Sequence, residues 1–137
     1  MSKYNFGKAS LDKLATCDPI LQKLMKLAIS DPRCPCDFTI TCGYRGEKEQ
    51  NEAYSKGLSK LKFPKGNHNK SPSRAVDAVP FVNGQPSWEN PDLFLLLGKH
   101  ITQIAKENSL PITWGGTWLS NPSDTLGWDA PHYELKP

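Results

Sequence analysis

A carboxylate inside an apolar strand is the feature of this sequence that most restricts the fold. The segment 74–79 (Arg-Ala-Val-Asp-Ala-Val) has the apolar character of a buried strand, yet Asp77 lies in its middle. A carboxylate is costly to bury unless a cation or several hydrogen-bond donors compensate it. The fold must therefore bring a cation or a set of donors to Asp77.

Helical patterns lie on both sides of this strand. Asp18 and Pro19 predict the start of an amphipathic helix, because Asp is a favoured N-cap and proline is tolerated at the first helical position. Ser10 is predicted to cap a shorter helix before it. Apolar residues at three- and four-residue steps predict the longest helix after Asn90.

Four short segments, 38–42, 74–79, 111–114 and 132–135, predict strands. Pro80 is predicted to end the second strand, and a hairpin-like turn is predicted at 82–85. Strands interspersed among helices indicate an α+β fold, a small and mainly antiparallel sheet with helices packed on one face. A length of 137 residues predicts one domain, 1–137.

Charge and hydropathy exclude several classes of partner. The net charge of +3 suits weak attraction to an anionic polymer, but the sequence has no dense basic stripe that would predict nucleic-acid binding. No apolar run is long enough to span a bilayer, so no stable membrane insertion is expected. The N-terminus lacks the apolar region of a signal peptide, which predicts a cytoplasmic protein. We expect a monomer.

The four cysteines, Cys17, Cys34, Cys36 and Cys42, lie in the first third of the chain. Their Cys-Pro-Cys spacing is not that of a zinc knuckle, and no second pair follows. Free thiols in a reducing compartment are the preferred interpretation, and a structural zinc site is the less favoured one.

Two of the three histidines, His68 and His132, lie in segments that predict a site together with Asp77. Two imidazoles and one carboxylate form the three-ligand set of a catalytic zinc ion, which leaves a fourth position for water. Asp129 precedes His132 by three residues and is therefore a candidate base that does not ligate the metal. From residue types alone, a hydrogen-bonded His–Asp pair is the ordinary alternative.

The segments 68–77 (His-Asn-Lys-Ser-Pro-Ser-Arg-Ala-Val-Asp) and 128–134 (Trp-Asp-Ala-Pro-His-Tyr-Glu) together resemble one enzyme family. It comprises zinc peptidases such as the VanX and VanY-type D-alanyl-D-alanine peptidases and the phage L-alanyl-D-glutamate endopeptidases. Their shared fold is named for hedgehog and D,D-peptidases. The shorter family motif is His-x-x-Gly-x-Ala-x-Asp, and the interval here is two residues longer, a variant associated with phage lysins.

The resemblance implies a role for each site residue. It implies that His68, Asp77 and His132 bind Zn²⁺ and that Asp129 is the catalytic acid and base. It further implies that Arg45 binds substrate and stabilises the oxyanion, a task that suits a permanently charged guanidinium.

Two departures from the family pattern affect the predicted substrate contacts. Gly66 replaces a family serine, so Asn67, Ser71 or Ser73 is expected to supply that hydroxyl or polar group, and Ser73 is taken as the substrate-binding candidate. Thr117 replaces an acid in the Trp114–Trp118 segment.

The remaining aromatic and titratable residues receive weaker predictions. The tryptophans Trp114, Trp118 and Trp128 suit either the core or the floor of a cleft, and Trp128 is predicted to bind substrate because it adjoins Asp129. Glu134 is expected to orient a ligand, whereas His100 is expected at the surface.

The leading functional hypothesis is a phage endolysin that cleaves the L-alanyl-D-glutamate bond of peptidoglycan stem peptide. Such an enzyme would stay in the host cytoplasm until lysis and then act on the cell wall. The alternatives are a D-alanyl-D-alanine carboxypeptidase or dipeptidase, and a non-catalytic zinc module that binds the cell wall.

Overall fold

The computed structural model describes residues 4–137, which form four α-helices and a small sheet. The α-helices are α1 (Lys8–Leu14), α2 (Pro19–Ser30), α3 (Glu47–Ser55) and α4 (Pro91–Glu107). The strands are β1 (Phe38–Cys42), β2 (Ala75–Val82), β3 (Gln85–Pro86), β4 (Ile112–Trp114) and β5 (His132–Leu135). Single 3₁₀ turns occur at Asn67–Asn69 and Gly115–Thr117. None of the helices in the described chain combines the length and apolar character needed to cross a bilayer.

The strands form an antiparallel sheet in the order β1-β2-β5-β4, and β3 pairs with β2 as a hairpin. The hairpin turns at Asn83 and Gly84, whose positive φ angles of 53° and 80° suit the Asn-Gly pair of a two-residue loop. The predicted α+β class and antiparallel sheet are confirmed. The predicted turn at 82–85 is also present.

The two faces of the sheet have different environments. Val76 and Tyr133 point into the main hydrophobic core, which the sheet shares with α1, α2 and α4. Their sequence neighbours Asp77 and His132 point to the opposite face, because side chains alternate along a strand. Asp77 and His132 are also directly paired across β2 and β5. The sheet register alone therefore brings a carboxylate and an imidazole together.

Three local predictions have different outcomes. Asp18 caps α2 as predicted, accepting a hydrogen bond from the Ile20 N–H at 2.9 Å. Ser10 is not an N-cap: it lies inside α1, is buried, and accepts a hydrogen bond from the Ile40 N–H of β1. Pro80 does not end β2, because the next N–H, that of Phe81, donates to Asp37 and continues the pairing.

A β-bulge changes the direction of Cys42. Ile40 pairs with Ala78 but Cys42 pairs with Asp77, so Thr41 is the extra residue. The simple alternation of β1 predicts Ile40 and Cys42 on one face. The bulge moves Cys42 to the face of Asp77, which is a common use of bulges next to functional sites.

Candidate active site

A cavity of about 330 Å³ opens on the face of the sheet that carries Asp77 and His132. Its lining includes all of the predicted site residues except Ser73, namely Arg45, His68, Asp77, Trp128, Asp129 and His132. Residues that the sequence did not single out, including Gln50 and Lys60, also line it. The cavity therefore brings together residues that are distant in the sequence.

Three atoms converge at the base of this cavity. His68 Nε2 lies 3.2 Å from Asp77 Oδ1 and 3.2 Å from His132 Nδ1. His132 Nδ1 lies 3.3 Å from Asp77 Oδ1. Both imidazoles are buried, at 5% and 8% exposure. The three side chains thus share one small, poorly hydrated volume.

The outward contacts of the two imidazoles determine which nitrogen faces the cluster as an acceptor. His68 Nδ1 lies 2.7 Å from the Gly43 carbonyl oxygen, which only accepts, so Nδ1 carries the proton. His132 Nε2 lies 2.6 Å from Glu134 Oε1 and donates to that carboxylate. In neutral His68 and His132, the ring nitrogen that faces the cluster therefore carries a lone pair and no proton. Together with the Asp77 carboxylate they form three acceptors that require a cation between them.

The spacing of these acceptors fits a tetrahedral metal ion. Ligand atoms about 2.0–2.1 Å from a tetrahedral ion lie roughly 3.3–3.4 Å from one another. The three observed separations are 3.2, 3.2 and 3.3 Å.

A second set of ligand atoms shares two residues with the first. Cys42, His68 and Asp77 also lie close enough to one another to hold a metal ion. There, however, the Cys42 Sγ approaches His68 Nδ1, at 3.7 Å, the nitrogen already bonded to Gly43.

The electrostatics of the cluster show the same demand for positive charge. Burial lowers the pKa of His68 and of His132, but the Asp77 carboxylate outweighs burial and raises these pKa values to about 10 and about 9. Burial raises the pKa of Asp77, and the two imidazoles reverse this and hold it well below its usual range. Asp77 is therefore a carboxylate, and without a metal ion the imidazoles take up protons.

Asp129 lies beside the cluster. Its Oδ2 is 3.9 Å from His132 Nδ1, and the side chain is 31% exposed. Desolvation raises its pKa above the ordinary value, although His132 opposes this effect. A carboxylate with a raised pKa, next to the three converged acceptors and open to the cavity, is suited to accept and return a proton.

Arg45 reaches the cluster from the end of β1. Its Nη2 lies 3.7 Å from Asp77 Oδ2, and its Nη1 donates to Gln50 Oε1 at 3.1 Å. Gln50 is 1% exposed and also receives a hydrogen bond from Asn69. Gln50 thus holds Arg45 in place, a role that the sequence did not reveal because α3 is otherwise polar and exposed.

The tryptophans divide between core and cavity. Trp114 is 5% exposed, stacks on Tyr133 and donates to the Ala130 carbonyl oxygen, so it belongs to the core. Trp118 and Trp128 line the cavity, with ring centroids 5.4 Å apart. Trp128 is 46% exposed, and the Lys60 ammonium lies over its ring, 4.1 Å from the centroid.

Ser73 requires a correction. It is fully buried, its hydroxyl donates to the Ala75 carbonyl oxygen at 2.7 Å, and it does not line the cavity. Ser73 therefore closes the turn before β2, and the prediction that it binds substrate is wrong. Of the other polar residues considered near Gly66, Asn67 lines the cavity.

His100 and the four cysteines do not line the cavity. His100 is partly exposed and bonds the Ala28 carbonyl oxygen, linking α4 to α2. None of the four cysteines forms a disulfide bond. Burial raises the pKa of Cys17 to about 12, so that thiol stays protonated.

Comparison with known proteins agrees with the resemblance. Residues 1–136 match the family model described as phage L-alanyl-D-glutamate peptidase. The L-alanyl-D-glutamate peptidase of Escherichia phage T5 is 34% identical over 116 residues, which covers 84% of this chain and 82% of that protein. The crystal structure of the Serratia marcescens L-Ala D-Glu endopeptidase ChiX shares the fold, with a TM-score of 0.76 and 24% identity over 98% of this chain and 92% of that one. The chain belongs to the phage L-alanyl-D-glutamate peptidase family.

Proposed function

We propose that this chain hydrolyses the L-alanyl-D-glutamate bond of peptidoglycan stem peptide with a zinc ion bound by His68, Asp77 and His132. The observation that carries the proposal is the convergence of three acceptor atoms within 3.3 Å, next to a carboxylate of raised pKa. Family membership supplies the reaction class. Two nitrogens and one oxygen are ligands that zinc accepts in hydrolytic sites.

The residues around the cluster have separable roles in this reaction. A zinc ion in such a site supplies Lewis acidity and lowers the pKa of water. Asp129 takes the proton of the attacking water as the new C–O bond forms, and gives it to the departing amine as the C–N bond breaks. Arg45 holds the negative charge that develops on the scissile carbonyl oxygen. Glu134 keeps the lone pair of His132 Nδ1 directed inward.

The cellular setting is a further part of the proposal. We infer an endolysin that resides in the host cytoplasm until lysis and then cleaves the wall as a monomer. The family of phage peptidases supports the lytic role.

Digestion of purified cell walls tests the proposed reaction. The wild-type protein should release new N-terminal glutamate. In Asp129→Asn the rate of this release should fall at least about a hundredfold, the size of a general acid–base contribution, while zinc stays bound. Asp124→Asn is the matched control, because Asp124 lies in the same loop but outside the cavity. Release of D-alanine instead of glutamate, or full activity in Asp129→Asn, would refute the proposal.

A further inference from the structure

The positive charge of this chain is concentrated beside the cavity. The whole sequence has 17 Lys and Arg against 14 Asp and Glu. Six of these cations and no acid fall in the segment 56–74, so the rest of the chain has 11 cations and 14 acids. Segment 56–74 includes seven residues that line the cavity, namely Leu58, Ser59, Lys60, Leu61, Gly66, Asn67 and His68. Positive charge is therefore concentrated in a segment that lines part of the cavity, where it attracts anionic substrates.

Lys60 is the residue of this segment whose ammonium lies at the cavity. Its Nζ is 4.1 Å from the ring centroid of Trp128, which also lines the cavity. An indole face restrains an ammonium without neutralising it. The indole of Trp128 thus holds the Lys60 ammonium at the cavity.

The residues on both sides of Lys60 are held in place by hydrogen bonds to the side chain of Gln50. The amide nitrogen of buried Gln50 donates to the Ser59 hydroxyl and to the Leu61 carbonyl oxygen. The amide oxygen of the same Gln50 accepts from Arg45. The position of Lys60 is therefore coupled to that of Arg45, and the loop that carries it is not free to swing away.

The two cations of the cavity differ in how far they are already paired. Arg45 lies 3.7 Å from Asp77 Oδ2 and bonds Gln50, so part of its charge is used inside the site. Lys60 forms no ion pair within the described residues. Lys60 is the cation of the cavity that remains available to an incoming carboxylate.

The proposed substrate presents such a carboxylate. Glutamate has two carboxyl groups, and a peptide that continues from one of them leaves the other free. The residue on the amine side of the scissile bond therefore carries a negative charge close to the cut. Amidation of that carboxyl group to a carboxamide removes the charge and keeps the shape.

We propose that Lys60 is a specificity-determining residue that binds the free carboxylate of the D-glutamyl residue, so that the enzyme favours acidic stem peptides over amidated ones. This inference rests on the proposed function and adds the chemical form of the substrate. A charge-assisted hydrogen bond is about twice as strong as a neutral one, which corresponds here to a preference of about tenfold in kcat/KM.

Two synthetic stem peptides test this inference, identical except that the free glutamyl carboxyl group is either a carboxylate or a carboxamide. Wild-type enzyme should cleave the acidic peptide about tenfold more efficiently. Lys60→Met, which keeps the apolar stem, should bring the ratio of the two kcat/KM values close to one, and Lys60→Arg should retain the preference. The matched control is Lys62→Met, since Lys62 lies over Tyr54 and does not line the cavity; it should keep the wild-type ratio.

The outcomes separate this inference from the proposed function. Cleavage of both peptides at equal rates by the wild-type enzyme, or an unchanged preference in Lys60→Met, would overturn the role of Lys60 and leave the peptidase assignment intact. Failure of the wild-type enzyme to cleave either peptide would instead refute the proposed function, and this inference with it.

Discussion

Glu134 offers a graded test of how the outer contacts of the site support metal binding. Its Oε1 accepts a hydrogen bond from His132 Nε2 at 2.6 Å, and its side chain is 22% exposed. The hydrogen bond from His132 lowers the pKa of Glu134, so the group is a carboxylate at neutral pH. We predict that Glu134→Gln weakens zinc binding and that Glu134→Ala weakens it further.

The size of the effect follows from the type of hydrogen bond. A bond to a charged group contributes about 1.5–3 kcal/mol and a neutral one about 0.5–1.5 kcal/mol. Glu134→Gln keeps an acceptor but removes the charge, a loss of about 1–1.5 kcal/mol, or roughly five- to tenfold in zinc affinity. Glu134→Ala removes the acceptor as well and should cost up to about a hundredfold, the upper range for such supporting residues.

Competition with a chromophoric chelator measures these affinities at fixed pH. Glu52→Gln is the matched control, because Glu52 is exposed on α3 and outside the cavity, and its zinc affinity should equal that of the wild type. If both Glu134 variants bind zinc as tightly as the wild-type protein does, Glu134 does not orient His132 for a metal ion.

Two further predictions follow from the described contacts. Folding raises the pKa of His68 to about 10 and that of His132 to about 9, so protonation of these imidazoles stabilises the metal-free protein. This stabilisation is fully present below about pH 6.5 and is lost as the pH rises towards 9 to 10, which urea unfolding at several pH values checks. The zinc-loaded protein should instead lose its metal as the pH falls. Gly98→Ala should destabilise the fold by about 1–3 kcal/mol, because its Cβ would lie 2.0 Å from the Trp114 ring. The control Gly7→Ala, with no atom within 4 Å of the added Cβ, should change the stability by less than about 0.5 kcal/mol. Thermal unfolding measures both variants, and equal melting temperatures would contradict this prediction.

Much of the fold could be predicted from local patterns. Capping at Asp18, the Asn83-Gly84 turn and the apolar periodicity of α2 and α4 act over a few residues, and the structure agrees with them. The strand-borne carboxylate Asp77 also signalled a site, because its burial demanded compensation by something distant in the sequence. These predictions succeeded where short-range physics determines the result.

The failures arose where pairing between distant segments decides the outcome. Pro80 stays in β2 because Phe81 pairs with Asp37, and Ser10 is buried because β1 packs against α1. The Thr41 bulge that turns Cys42 towards Asp77 leaves no mark in a simple alternation of apolar and polar residues. Gln50 looked like one more polar residue of an exposed helix until the loop at Ser59 was seen to rest on it.

Zinc stoichiometry of two variants tests most directly whether His68, Asp77 and His132 form the metal site, because the chain presents a competing set with Cys42 in place of His132. Dialysed wild-type protein should retain one zinc ion per chain by elemental analysis. The account predicts that Cys42→Ser retains that ion and that His132→Ala loses it. Retention in His132→Ala together with loss in Cys42→Ser would contradict the account.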